Sequence, residues 1–102
     1  MEEFIRGSSS YVRLEVHVTF KVKYCHKVFD FVEFRTRCEQ IFCEVAENEK
    51  VVVEEMGFDR DHVHMVWFIR VYHNLADLAK KFKGTSGRKL LKEFPYIKKR
   101  FF

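Results

Sequence analysis

Apolar and polar residues alternate strictly over residues 11–23. Val12, Leu14, Val16, Val18, Phe20 and Val22 fall between Tyr11, Arg13, Glu15, His17, Thr19, Lys21 and Lys23. Successive strand side chains point to opposite faces, so this period predicts a strand with one buried and one polar face. Over residues 32–48 the period changes. Phe34, Cys38, Ile41, Phe42 and Val45 share one stripe, with Arg35, Arg37, Glu39, Glu44 and Glu47 mostly outside it, which predicts an amphipathic helix. Val51-Val52-Val53 opens a second strand ending near Met56. Gly57-Phe58-Asp59-Arg60-Asp61 reads as a turn. A third strand runs from about His62 to Arg70, and the short connection predicts an antiparallel hairpin. Asn74 is a candidate helix N-cap. Leu75, Leu78, Ala79 and Phe82 then follow i, i+3, i+4, i+7 spacing. Gly84 reads as a break or kink, Thr85 or Ser86 as the cap of a continuation through Leu90, Leu91 and Phe94, and Pro95 as its stop. Gly7-Ser8-Ser9-Ser10 reads as a flexible lead-in.

The order β-α-β-β-α predicts an α+β, ferredoxin-like domain with its helices on one face of the sheet. One further strand would complete that arrangement, and the sequence stops where it would begin. With 102 residues, a single domain over 1–102 is expected. A 47% hydrophobic content, including 12 Phe, suffices for one core. Met1 to Ser10 lacks the apolar stretch of a secretory signal. No run approaches the ~20 apolar residues that cross a bilayer. A cytoplasmic protein without a membrane partner is therefore expected. Cys25, Cys38 and Cys43 are odd in number and irregular in spacing, which argues for reduced thiols. Cys38 and Cys43 lie in the helical pattern and read as core rather than ligands.

Net charge is a modest +4, but it is unevenly spread. From Leu78 to Phe102 stand Lys80, Lys81, Lys83, Arg88, Lys89, Lys92, Lys98, Lys99 and Arg100 against one acid, Glu93, while the remaining chain is net negative. Positive charge concentrated on one element suits a polyanion such as nucleic acid. On charge alone, a solvated face that keeps the protein soluble explains it equally well.

The segment Asp61-His62-Val63-His64 carries the candidate chemistry. On a strand, residues i and i+2 share a face, so His62 and His64 project side by side, about 7 Å apart. Imidazole is the commonest metal ligand, and two on one strand make half a site. Alone, His-x-His equally describes two polar residues on a half-exposed strand. Three features favour the site: the pair follows an acidic turn, Val63, Met65, Trp67 and Ile69 anchor the opposite face, and His17 falls on the polar side of strand one. His17 reads as a neighbour rather than a ligand.

Three blocks resemble one family. They are Arg6-Gly7-Ser8 with His17-Val18-Thr19-Phe20-Lys21-Val22-Lys23-Tyr24 and Lys27-Val28-Phe29; Glu55 to His64, including the Asp before the first His; and Phe82-Lys83-Gly84-Thr85-Ser86-Gly87-Arg88-Lys89 with Glu93-Phe94-Pro95. Together, in this order and spacing, they resemble the small single-tyrosine HUH transposases of the TnpA type, the insertion-sequence-two-hundred-like group. The resemblance covers nearly the whole chain.

It implies a metal-dependent transposase and endonuclease acting on single-stranded, hairpin-bearing ends of a mobile element. A tyrosine attacks the scissile phosphate, and a homodimer is the working unit. By the same resemblance His62 and His64 hold a divalent metal, Mg or Mn. Lys80, Lys83, Arg88 and Lys89, with Lys21 and Lys23 from strand one, are the candidate phosphate contacts. The family pattern continues past its Phe-Pro segment with a further strand and a helix bearing the nucleophilic tyrosine and a third metal ligand. This sequence ends at Arg100-Phe101-Phe102. The expectation is a chain that binds DNA without cutting it, with a weak metal site and no catalytic residue of its own. Tyr96 is only a remote candidate for the nucleophile, with packing as its expected role. Tyr72 is roughly 26 Å along the strand from His64. Two alternatives stand beside this: a nuclease with an unconventional nucleophile, and a non-enzymatic nucleic-acid-binding ferredoxin-like module.

Overall fold

In a computed structural model of the chain, residues 13–102 are described; the lead-in at 7–10, the Arg6-Gly7-Ser8 block, Tyr11 and Val12 lie outside them. Strand β1 spans Arg13–Lys21, followed by 3-10 turns at Lys23–Cys25 and Val28–Asp30. Helix α1 is Val32–Glu49, strand β2 Val52–Phe58, strand β3 His62–Arg70, helix α2 Leu75–Glu93 and helix α3 Pro95–Phe101. The sheet order is β1-β3-β2, with β3 antiparallel to both neighbours. This is the α+β, ferredoxin-like arrangement that the element order predicts. The most continuously apolar strand, β3, takes the centre, where backbone groups on both sides find partners.

The helices cover the face carrying Val63, Met65, Trp67 and Ile69, each no more than 3% exposed. Trp67 stacks on Phe82 of α2 at 4.5 Å between ring centroids, with Phe20 edge-on to Trp67 and Phe42 tilted against Phe82. Arg37 of α1 clasps Glu93 of α2 at 2.8 Å, which holds the Glu93 carboxyl below its usual range. His73 joins the end of β3 to the end of α1. Its Nδ1 accepts from the Arg70 N–H at 2.8 Å, so Nε2 carries the proton and donates to the Glu49 carbonyl at 2.7 Å.

Several boundaries differ from the sequence reading. Gly84 neither breaks nor kinks α2, which is continuous through Glu93. Leu78, Phe82, Ser86 and Leu90 form a buried i, i+4 stripe that carries the helix through the glycine, which faces solvent. Ser86 is a buried helix residue whose hydroxyl donates to the Lys83 carbonyl, and neither it nor Thr85 is a cap. Pro95 ends α2 but also starts α3, because proline at the first helical position loses no hydrogen bond. Strand β2 runs on to Phe58, since Gly57 and Phe58 still pair with β3. Cys43 is exposed rather than core: one position beyond Phe42, it turns about 100° off the buried stripe. Cys38 is buried, and burial pushes its thiol up to about 12.

Candidate metal and nucleic-acid site

The turn before β3 is fastened to residues 22–30 from both sides. The Val22 N–H donates to the Asp61 carbonyl at 2.8 Å and the Phe29 N–H to the Arg60 carbonyl at 3.1 Å. The Arg60 guanidinium grips Asp30 through Nε at 2.9 Å and Nη2 at 2.8 Å, the forked geometry arginine offers a carboxylate. The Asp59 N–H closes the turn on the His62 carbonyl at 2.8 Å. These bonds fix where β3 begins and so where its first side chain, His62, stands.

His62 and His64 alternate with buried Val63 and Met65, so both point to the face that the helices leave uncovered. The register sets Lys21 opposite His62, and Thr19 and Gly57 on either side of His64. Thr19 and Gly57 are small and exposed, so His64 is walled low on both sides, and a Cβ added at Gly57 would meet nothing within 4 Å. The His17 ring lies 5.8 Å from that of His64, the neighbour position read from the alternation of β1. Further along the same face Val66 is buried, and Arg13 lies 4.6 Å over the Phe68 ring.

Asp61 Oδ1 lies 2.9 Å from His62 Nδ1, and this bond holds the Asp61 carboxyl below its usual range. An ionised carboxylate can only accept, so Nδ1 carries the proton and the Nε2 lone pair is left for a ligand. Asp59 Oδ2 stands 3.9 Å from that Nε2. Two imidazoles on a rigid strand, one of them oriented by a carboxylate, suit a divalent cation. They make half a site. Among the described residues no three His, Cys, Asp or Glu side chains are gathered to hold an ion.

The basic candidates separate into three groups. Lys21, Lys23 and Lys83 converge on the rim of a mostly apolar cavity of about 330 Å³ between the end of β1, α1 and α2. Lys83 Nζ lies 5.7 Å over the Phe20 ring there. Lys80 and Arg88 are exposed, eight residues apart and therefore on one outward stripe of α2. Lys89 turns towards α1 and reaches Glu44 at 3.6 Å. The outward stripe of α2 and the two histidines thus lie on opposite sides of the sheet, and Lys21 and Lys83 both line the cavity at the end of β1.

The Tyr96 ring packs edge-on against Phe31 and Phe94 within the helical layer, away from the histidine face. Tyr72 is 66% exposed and lies against His73 at the far end of β3. Tyr24 stands out from the turn after β1 at 74% exposure. Sequence reasoning passed over the Arg60–Asp30 fork and Asp59. The available signal was an arginine set between two acids immediately before His-x-His.

Comparison with known proteins identifies the family and the fold. The family model described as "Transposase IS200 like" matches residues 10–102. The ISDra2 transposase TnpA of Deinococcus radiodurans is 28% identical over 98 residues, covering 96% of this chain and 69% of that protein. A crystal structure described as that of a transposase from Deinococcus radiodurans R1 superposes with a TM-score of 0.81 at 26% identity. That match covers 85% of this chain and 66% of the solved one, so the chain spans about two thirds of the length of these relatives. With the family model spanning about nine-tenths of its length, the chain belongs to the IS200-like transposase family.

Proposed function

We propose that the chain binds single-stranded, hairpin-bearing DNA at the ends of an insertion sequence and presents a phosphate of that strand to a metal held by His62 and His64. One observation carries the reading. The two imidazoles stand at alternate positions of the central strand, on its uncovered face, with Asp61 orienting the first. A bound Mg or Mn ion would draw charge from the phosphate oxygens. The chain's own residues do the rest. Asp61 keeps His62 in the tautomer that offers Nε2. Thr19 and Gly57 leave room beside His64 for a phosphate. Lys21 neutralises charge next to His62. Lys80, Lys83 and Arg88 hold the strand on the helical side, and Lys21 with Lys83 guides it around the edge of β1.

Among the described residues, Tyr96 packs within the helical layer and Tyr72 lies at the far end of β3, which supports a reading in which these residues bind DNA without cutting it. Strands β1 and β2 are the edges of the described sheet, which supports a homodimer in which copies cover such an edge. The test is fluorescence anisotropy with a labelled hairpin oligonucleotide at low salt, followed by incubation with Mn²⁺ and a denaturing gel. Tight binding without cleavage or a covalent adduct is expected. An adduct would contradict the non-cutting part. Weak hairpin binding beside tight RNA binding would overturn the DNA assignment.

A further inference from the structure

The turn after β1 is built against its own conformational preference. Tyr24 and Cys25 are consecutive non-glycine residues with φ of 60° and 54°, in the left-handed region that side chains disfavour. This backbone holds the Tyr24 ring outward, among the most exposed large apolar side chains described. The strain is not offset by burial of that ring, which points to a use outside the fold.

Tyr24 begins a continuous run of rings. It meets His26 edge-on at 5.8 Å, and His26 contacts Phe101 at 5.1 Å and Phe102 at 5.3 Å. Phe101 in turn meets Phe31, which meets Tyr96. Phe102 and Tyr96 are about half exposed. Cations are threaded through the run: Lys23 Nζ lies 5.0 Å over the Tyr24 ring, and the Arg100 guanidinium lies 5.2 Å over Phe101 and 5.7 Å over Phe31. Exposed rings threaded with cations suit a partner that is flat and negatively charged. A ligand with flat π faces and one negative charge per unit fits both demands.

We infer that the ring cluster centred on Tyr24, His26 and Phe102, with Lys23 and Arg100, is a stacking platform for unpaired bases of single-stranded DNA. Its Lys23 and Phe102 line the same cavity as Lys21 and Lys83. The inference rests on the DNA-binding reading above. Bases stack on the rings, the two cations take the flanking phosphates, and no base-specific hydrogen bond is required. The platform is therefore tolerant of sequence.

The test compares a twelve-nucleotide oligo(dT) with an abasic strand of the same length and charge, on the 102-residue chain at low salt. Wild type is expected to bind oligo(dT) at least about five-fold tighter, and Tyr24→Ala to lose most of that preference while still binding the abasic strand. Tyr24→Trp, which keeps a larger ring, should retain it. Circular dichroism checks that the fold is unchanged. Equal wild-type affinity for the two strands would overturn the platform and leave the DNA reading standing. No binding to either strand would overturn both. A Tyr24→Ala variant that keeps the full preference, or one that only loses self-association, would also overturn it, the latter in favour of a contact between copies.

Discussion

Asp61 is the residue on which the orientation of His62 turns. Its carboxylate, kept ionised chiefly by its bond to the ring, decides which imidazole nitrogen is free. Asp61→Asn keeps the shape but loses the charge, and a partner behind a metal ligand is typically worth 10- to 100-fold in affinity. The variant should bind Mn²⁺ roughly ten-fold more weakly than wild type, read from the free-ion signal in electron paramagnetic resonance. On the other face of the sheet, Trp67 is 1% exposed and stacked on Phe82. Trp67→Ala leaves a cavity where helices and sheet meet and should cost about 3–5 kcal/mol in urea unfolding. A loss under ~1 kcal/mol would mean that the core collapses around the gap.

Two features of the helices lend themselves to measurement. Gly84 sits mid-helix with open space where a Cβ would stand. Gly84→Ala should raise stability by about 0.5–1 kcal/mol, checked by the urea midpoint, because alanine loses less backbone freedom on folding. The clasp between α1 and α2 is sensitive to acid. Arg37 holds Glu93 below the usual carboxylate range, so the contribution of the pair is present above the ordinary Glu pKa. It is lost as pH falls through the lowered value. Relative to wild type, Glu93→Gln should be less stable at neutral pH and lose less on acidification, and the two unfolding curves should converge at the acid end. The pair is exposed, so the effect is small. Elements whose periodicity comes from one-sided burial were legible in sequence: the alternation of β1, the stripe of α1 and the apolar positions of β3. Junctions were not. The continuity of α2 through Gly84 depends on what Phe82 and Ser86 pack against, and α3 beyond Pro95 depends on Ile97, which is fully buried. The clamp by His73 joins groups 24 residues apart, a pairing that no local pattern encodes.

For the molecule as a whole, the sheet separates the two surfaces proposed to act on DNA. The histidines lie on one side and the Lys80–Arg88 stripe on the other, and at the end of β1 Lys21, Lys23 and Lys83 line one cavity. The His-x-His pair was legible because strand alternation alone places it. The division of the lysines was not, since it depends on which face of α2 meets the sheet and on Lys89 finding Glu44. If the outward stripe holds phosphates, Lys80→Ala and Arg88→Ala should each reduce the slope of log Kd against log salt by about 0.7 for single-stranded DNA. Lys89→Ala, already paired within the fold, should change it least.

The most direct measurement is a Mn²⁺ titration of the wild-type chain, His62→Ala and His64→Ala, followed by electron paramagnetic resonance. Wild type should take up one weakly held ion per chain, and each substitution should remove that uptake while circular dichroism stays unchanged. Equal Mn²⁺ uptake by all three proteins would show that the two imidazoles on β3 are not the metal ligands.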